Sequence, residues 1–131
     1  MGVHFSWDDE EKNTVIRYTA EDDWNWNHYH KAVQMSLFAL HRIGHDVDVI
    51  VDLSGTDKIP VGAMAHVRSF GKRQNPHLTG RAIVIGLDRD TELSLRGGDD
   101  SERVLHVGEQ TIYFVDDEAA AQALLTQLRT D

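Results

Sequence analysis

Residues 47–62, VDVIVDLSGTDKIPVG, constrain this chain more than any other stretch. Val47, Val49, Val51 and Leu53 fall on one face of a strand while Asp48, Ile50 and Asp52 fall on the other, which reads as a central strand with one half-buried face. A polar loop follows, and after Pro60 the residues Val61, Met64, Val67 and Phe70 recur at close to helical spacing, ending near Gly71. A strand that runs into a loop and then a helix is the building unit of an open α/β sheet. The loop at the strand's C-terminal end is where such sheets present ligands or partners.

The flanking segments extend this unit. Residues 3–7 and 14–18 alternate apolar and polar positions around the charged hexamer 8–13, which predicts a hairpin at one edge of the sheet. Thr19 followed three residues later by Asp22 resembles a capping box, and Glu21, Asp22 and Asp23 suit the positive end of a helix dipole. A helix of about 20 residues should follow, with Trp24, Tyr29, Val33, Leu37, Leu40 and Ile43 on one face and Gly44 as its terminator. Asn75-Pro76 breaks the second helix, and residues 81–87, RAIVIGL, form the next buried strand. Residues 91–96 fit either one turn of helix or an edge strand, and Gly97-Gly98-Asp99-Asp100 is a turn. Residues 105–107 and 111–115 flank Gly108, and the second of these is a strand. Asp116 is expected to cap a last helix that buries Ala120, Ala123, Leu124 and Leu128, with Arg129 complementing its C-terminal dipole. This order predicts one α/β domain over residues 1–131, a mixed open sheet of four to six strands with helices packed mainly on one face.

The order of elements, with Ile50-Val51-Asp52-Leu53-Ser54 at the strand end and FVDDEAAAQALL near the C-terminus, resembles the STAS domain family. Within it the chain is most similar to divergent small proteins related to the anti-sigma-factor antagonists, over roughly residues 14–130. In that family a loop after the strand leads to Asp-Ser-Ser-Gly at a helix start. Here Pro60, Val61, Gly62 and Ala63 hold those places, so the phosphorylatable serine falls at Gly62, which has no hydroxyl. The resemblance therefore implies a non-catalytic regulatory or protein-interaction module without the phosphate switch. Its contact surface would involve Ser54, Thr56, Lys58, Pro60, Gly62 and Arg68, with a protein partner. A second group in the same fold neighbourhood resembles lipid-transfer domains, which leaves open an alternative: a domain that binds a small molecule or lipid in an apolar pocket, for which Trp24, Trp26, Phe38 and Met64 are the side chains to watch.

Composition narrows the field. Asp plus Glu number 22 against 13 Lys plus Arg, a formal net charge of −9. Such a surface repels phosphate backbones, so neither nucleic-acid binding nor adhesion to anionic lipid is expected; the densest basic patch is Arg68, Lys72 and Arg73, with Arg81 beyond. No apolar run approaches the roughly 18 residues that cross a bilayer, so no membrane insertion is expected, and residues 1–13 lack the pattern of a secretory signal. A cytoplasmic location follows as the expectation. Cysteine is absent, which removes disulfides, thiolate catalysis and Cys-ligated metal centres. Homo-oligomerisation stays open.

Eight histidines raise the question of a metal. His28 and His30 lie about 200° apart around a helix and cannot share one ion, and Gly44 interrupts the spacing of His41 and His45. No metal site and no cofactor is expected. Asp48, Asp52 and Asp57 with Lys58 or His66 are the candidates for acid–base chemistry, yet no nucleophile–base pair stands at a defined spacing and no phosphate-cradling or nucleophile-elbow motif is present, so no catalytic residue is assigned. Trp24 and Trp26 sit two residues apart, and Trp26 is the one expected to point outward, toward an interface or pocket rim.

Overall fold

The structure, a computed structural model, describes residues 2–9, 11–21, 24–56, 77–96 and 103–130. Six strands form one sheet: β1 (Val3–Trp7), β2 (Val15–Ala20), β3 (Val47–Asp52), β4 (Leu78–Ile85), β5 (Val104–Val107) and β6 (Gln110–Val115). Their order is β1-β2-β3-β4-β6-β5. The four central strands run parallel, while β1 and β5 join the edges antiparallel through hairpins. Parallel neighbours need crossover connections. Helix α1 (Trp26–Leu40) supplies the one from β2 to β3, and α2 (Arg89–Leu95) lies on the path from β4 to the β5–β6 hairpin; α3 (Glu118–Thr130) follows β6. The α/β class, the mixed sheet and its strand number are as the sequence led us to expect.

The two faces of the sheet are filled differently. Along β2, Val15 enters one hydrophobic cluster and Ile16 the other, as the two-residue period requires. On the first face Ile50, Ile83 and Ile85 pack with Ala121 and Leu125 of α3, and the three isoleucines are no more than 1% exposed. Each contributes about 1.5–3 kcal/mol relative to an exposed side chain. On the second face Ile16, Tyr18 and Val47 pack with Ala32 and Leu40 of α1. Leu95 of α2 lies on this second face too, beside Leu105 and Phe114. Helices mainly on one face thus describes the molecule only in part: α1 and α2 share a face, and α3 covers the other.

Several local expectations shift. Thr19 is inside β2, and the cap of α1 is Asn25: its side chain accepts from the His28 backbone N–H at 2.9 Å, and His28 Nδ1 accepts from the Asn25 N–H at 3.3 Å. The strand thus runs on to Ala20 where the alternation had already ceased to be legible. At α3 it is Asp117 that accepts from the Ala120 N–H, at 2.8 Å, while Asp116 pairs with Arg103 at 3.0 Å. The buried stripe is Ala121, Leu125 and half-buried Leu124, with Ala120 and Ala123 exposed. A run of alanines lets the helical phase slip by one position at no cost in hydrophobicity. In β3 the face carrying Asp48 and Ile50 is the sealed one, and Val49 and Val51 are half-buried.

Two buried carboxylates tie this frame together. Asp48, 3% exposed, accepts from Arg81 Nε at 2.9 Å and Arg129 Nε at 3.0 Å and from the hydroxyl of Thr79. Arg129 also donates to the carbonyl of Thr14 at 2.9 Å, which fastens the last turn of α3 to the start of β2. Glu92 of α2 is wholly buried and accepts from Arg96 at 2.8 Å and from Arg103 at 2.6 and 3.1 Å. Burial pushes its carboxyl up, but hydrogen bonds and charge from Arg103 and then Arg96 outweigh this and hold it below the usual carboxylate range.

Candidate functional site

Between α1 and its face of the sheet lies a cavity of about 150 Å³. Its floor is the upward side of three strands, with Val49 and Val51 of β3, Ala82 and Val84 of β4, and Ile112 and Phe114 of β6. The floor is wide because Gly80 and Ala82 place almost no side chain on it. The roof on one side is Trp26, Tyr29 and Val33 of α1, and at the far side Leu95 of α2 and Leu105 of β5 close it. Nearly all of this lining is apolar, the composition of a small-molecule pocket.

One wall is a chain of four rings. Trp24 and Trp26 meet edge to face at 5.0 Å, Trp26 and Tyr29 at 5.8 Å, and Tyr29 lies 5.6 Å from Tyr18. Trp24 precedes the cap Asn25 and so is off the helix, which frees it from the two-apart rule that separates side chains around a helix. Both tryptophans therefore reach the cavity, and Trp26, expected to point outward, is half-buried there. Tyr18 is anchored through its hydroxyl, 2.6 Å from Ser36 Oγ, which donates at 2.6 Å to the carbonyl of Val33. Burial pushes the Tyr18 phenol up to about 12, the Ser36 hydrogen bond lowering it by less, and burial raises Tyr29 too, with Tyr18 nearby. These hydroxyls present the neutral form at every physiological pH, which suits an uncharged ligand.

The loop that opened the sequence argument is visible at its beginning. Asp52 accepts from the Ser54 N–H at 3.0 Å and from its hydroxyl at 2.6 Å, and Thr56 donates its N–H to the carbonyl of Leu53 at 3.2 Å. Ser54 is exposed, Thr56 half-buried. Lys58, Pro60, Gly62 and Arg68, with Asp57, Met64 and His66, lie outside the described residues. The carboxylates considered for acid–base chemistry serve as ion-pair partners: Asp48 as above, and Asp52 with Arg17 at 3.0 Å. Arg17 also binds Asp8 at 2.8 Å and Glu118 at 2.6 Å, so one guanidinium gathers the ends of β1, β3 and α3. His45 bonds the carbonyl of Asn13 at 2.9 Å, and His41 stands beside the ring of Phe38. Among the described residues no group of three or more His, Asp and Glu is arranged to hold a metal ion.

Sequence reasoning named Trp24 and Trp26 as side chains to watch for a pocket, with Trp26 expected outward, and missed most of the floor. Gly80 and Ala82, small residues alternating within an otherwise bulky strand, were the signal for it. Phe38, considered for the pocket, is 74% exposed on the opposite side of α1. No protein family, curated protein or solved structure was found to match this chain.

Proposed function

We propose that this domain binds a small apolar molecule in the cavity beneath α1. The observation that carries the reading is an apolar space of about 150 Å³ walled by four aromatic rings and floored by small and branched side chains. A space of that size takes a ligand of about six to eight non-hydrogen atoms, a single aromatic ring or a short alkyl chain. The test is a titration with benzene, toluene and hexanol, read by tryptophan emission from Trp24 and Trp26 and by the rise in Tm that a ligand of the folded state produces. Ala82→Phe, which fills the floor, should abolish both responses while leaving a cooperative melt. Equal responses in the filled variant would refute the assignment.

A second reading keeps the STAS-like resemblance: a non-catalytic regulatory module that meets a protein partner through the loop after β3. It is supported by the strand end Asp52-Leu53-Ser54, whose internal hydrogen bonds set the start of that loop. Pull-down of a partner that is lost in Lys58→Ala or Arg68→Ala would favour it over the ligand reading. Neither reading calls for a membrane-spanning segment, and no helix among the described residues is long and apolar enough to cross a membrane.

A further inference from the structure

One residue in six of this chain is acidic, 22 of 131, yet residues 24–45 contain no Asp or Glu. That segment is α1 and its flanks. Its outer surface carries Lys31, Met35, Phe38 and Arg42, all exposed, at successive spacings of four, three and four. At 100° per residue these four fall within an arc of about 60° and span about 16 Å along the axis. Met35 is 59% exposed and Phe38 74%, and they are the two large hydrophobic side chains that stand out into solvent among the described residues. The helical turn continues past Leu40, with the His41 N–H donating to Phe38 O and the Arg42 N–H to Ala39 O, so Arg42 stays in line with the stripe. Asn27, Gln34 and His41 flank it, and Asp46 is the first acid beyond its end.

We infer that this outer face of α1 is a docking surface for an anionic lipid bilayer, with Met35 and Phe38 entering the headgroup layer and Lys31 and Arg42 reaching phosphate oxygens on either side. A bilayer suits the shape, since the apolar pair stands side by side on the outer flank of a single helix, where a flat surface can meet it. Lys and Arg have the stems to lie along the surface while their charges meet the phosphates. A second copy of the chain fits less well: an antiparallel α1 pair would bring Lys31 of one copy against Arg42 of the other with no acid on either helix to neutralise them. The net charge of −9 opposes adhesion of the molecule as a whole, but Asp117 and Glu118 of α3 lie beyond the sheet and act weakly across more than a Debye length of about 10 Å. This surface is independent of the cavity reading, although α1 presents the cavity with its opposite flank.

The test uses the intact chain and vesicles of phosphatidylcholine alone or with about 30% phosphatidylserine. Because the chain has no cysteine, Phe38→Cys and, on the far side, Thr126→Cys each take one environment-sensitive fluorophore. The label at 38 should shift to the blue and brighten on the anionic vesicles only, and the label at 126 should not respond. In co-sedimentation of the unlabelled chain, Lys31→Glu and Arg42→Glu should each lower partitioning by at least about fivefold, and Phe38→Ser by a similar factor. Melting curves confirm that these exposed substitutions leave the fold intact. Equal behaviour of the two labels, binding unaffected by the charge reversals, or binding to soluble polyglutamate with none to vesicles would each overturn the inference, the last assigning the surface to an acidic protein.

Discussion

Replacing Glu92 by Gln tests whether the buried carboxylate of α2 holds the helix to the β5–β6 hairpin. The substitution keeps the size of the side chain and removes its charge, leaving the Arg96 guanidinium, whose side chain is 2% exposed, without its anionic partner within α2. Breaking one side of a buried pair costs about 3–5 kcal/mol. Arg103 is 27% exposed and keeps Asp116, so the lower end applies, about 3 kcal/mol. With an unfolding entropy of about 2.1 cal/mol/K per residue over 131 residues, near 275 cal/mol/K in all, that corresponds to a fall in Tm of about 11 °C. The pH dependence gives an independent check. The folded pKa of Glu92 lies below its value of 4.5 in the unfolded chain, so its contribution is complete above that value and is lost as pH falls through the folded pKa. The gap between wild type and Glu92→Gln should therefore be widest at neutral pH and narrow in acid. Circular dichroism melts at about pH 7 and about pH 3.5 measure both. A loss of less than about 3 °C at neutral pH, or a gap that widens on acidification, would refute the reasoning.

Three further outcomes follow from the same geometry. Tyr18 and Tyr29 have folded pKa values above the ordinary phenol value of 10.0, so the stability they supply is present below pH 10 and is lost as pH rises through the folded values. An ultraviolet titration at pH 11 should release fewer phenolates from the native chain than from the unfolded one, and release of all three would contradict the burial argument. Ser36→Ala, which removes the hydrogen-bond partner of the Tyr18 hydroxyl, should cost about 1–3 kcal/mol in urea unfolding. Gly86 has φ +76° and a Cβ there would meet Ser54 Cα at 3.0 Å and Ser54 N at 3.1 Å. Gly86→Ala should thus cost about 2 kcal/mol, and a change within about 0.5 kcal/mol would show that the loop after β3 yields freely.

The fold was legible where side-chain period and turn chemistry agree. Alternation marked β1 and β3, and the run after Gly108 marked β6. What failed were choices that depend on tertiary partners. The cap at Asn25 uses His28, an uncommon residue at that place in a capping box, so Thr19 and Asp22 offered a more familiar pattern at the wrong position. The sealed face of β3 contains Asp48, which looks solvent-facing until two arginines from β4 and α3 are brought to it. The cavity was half legible: aromatic residues near the start of α1 were visible as a concentration, but an empty volume arises from what Gly80 and Ala82 omit, and no periodicity reports an omission.

The space beneath α1 has a volumetric consequence. On the α1 side the described residues leave about 150 Å³, and the volume by which a small protein contracts on unfolding under pressure, about 20–100 mL per mole, scales with such internal space. Hydrostatic pressure is therefore expected to act on the α1 layer by drawing water into that space. Compression would peel the domain from one side, and a molecule occupying that space would serve as its strut.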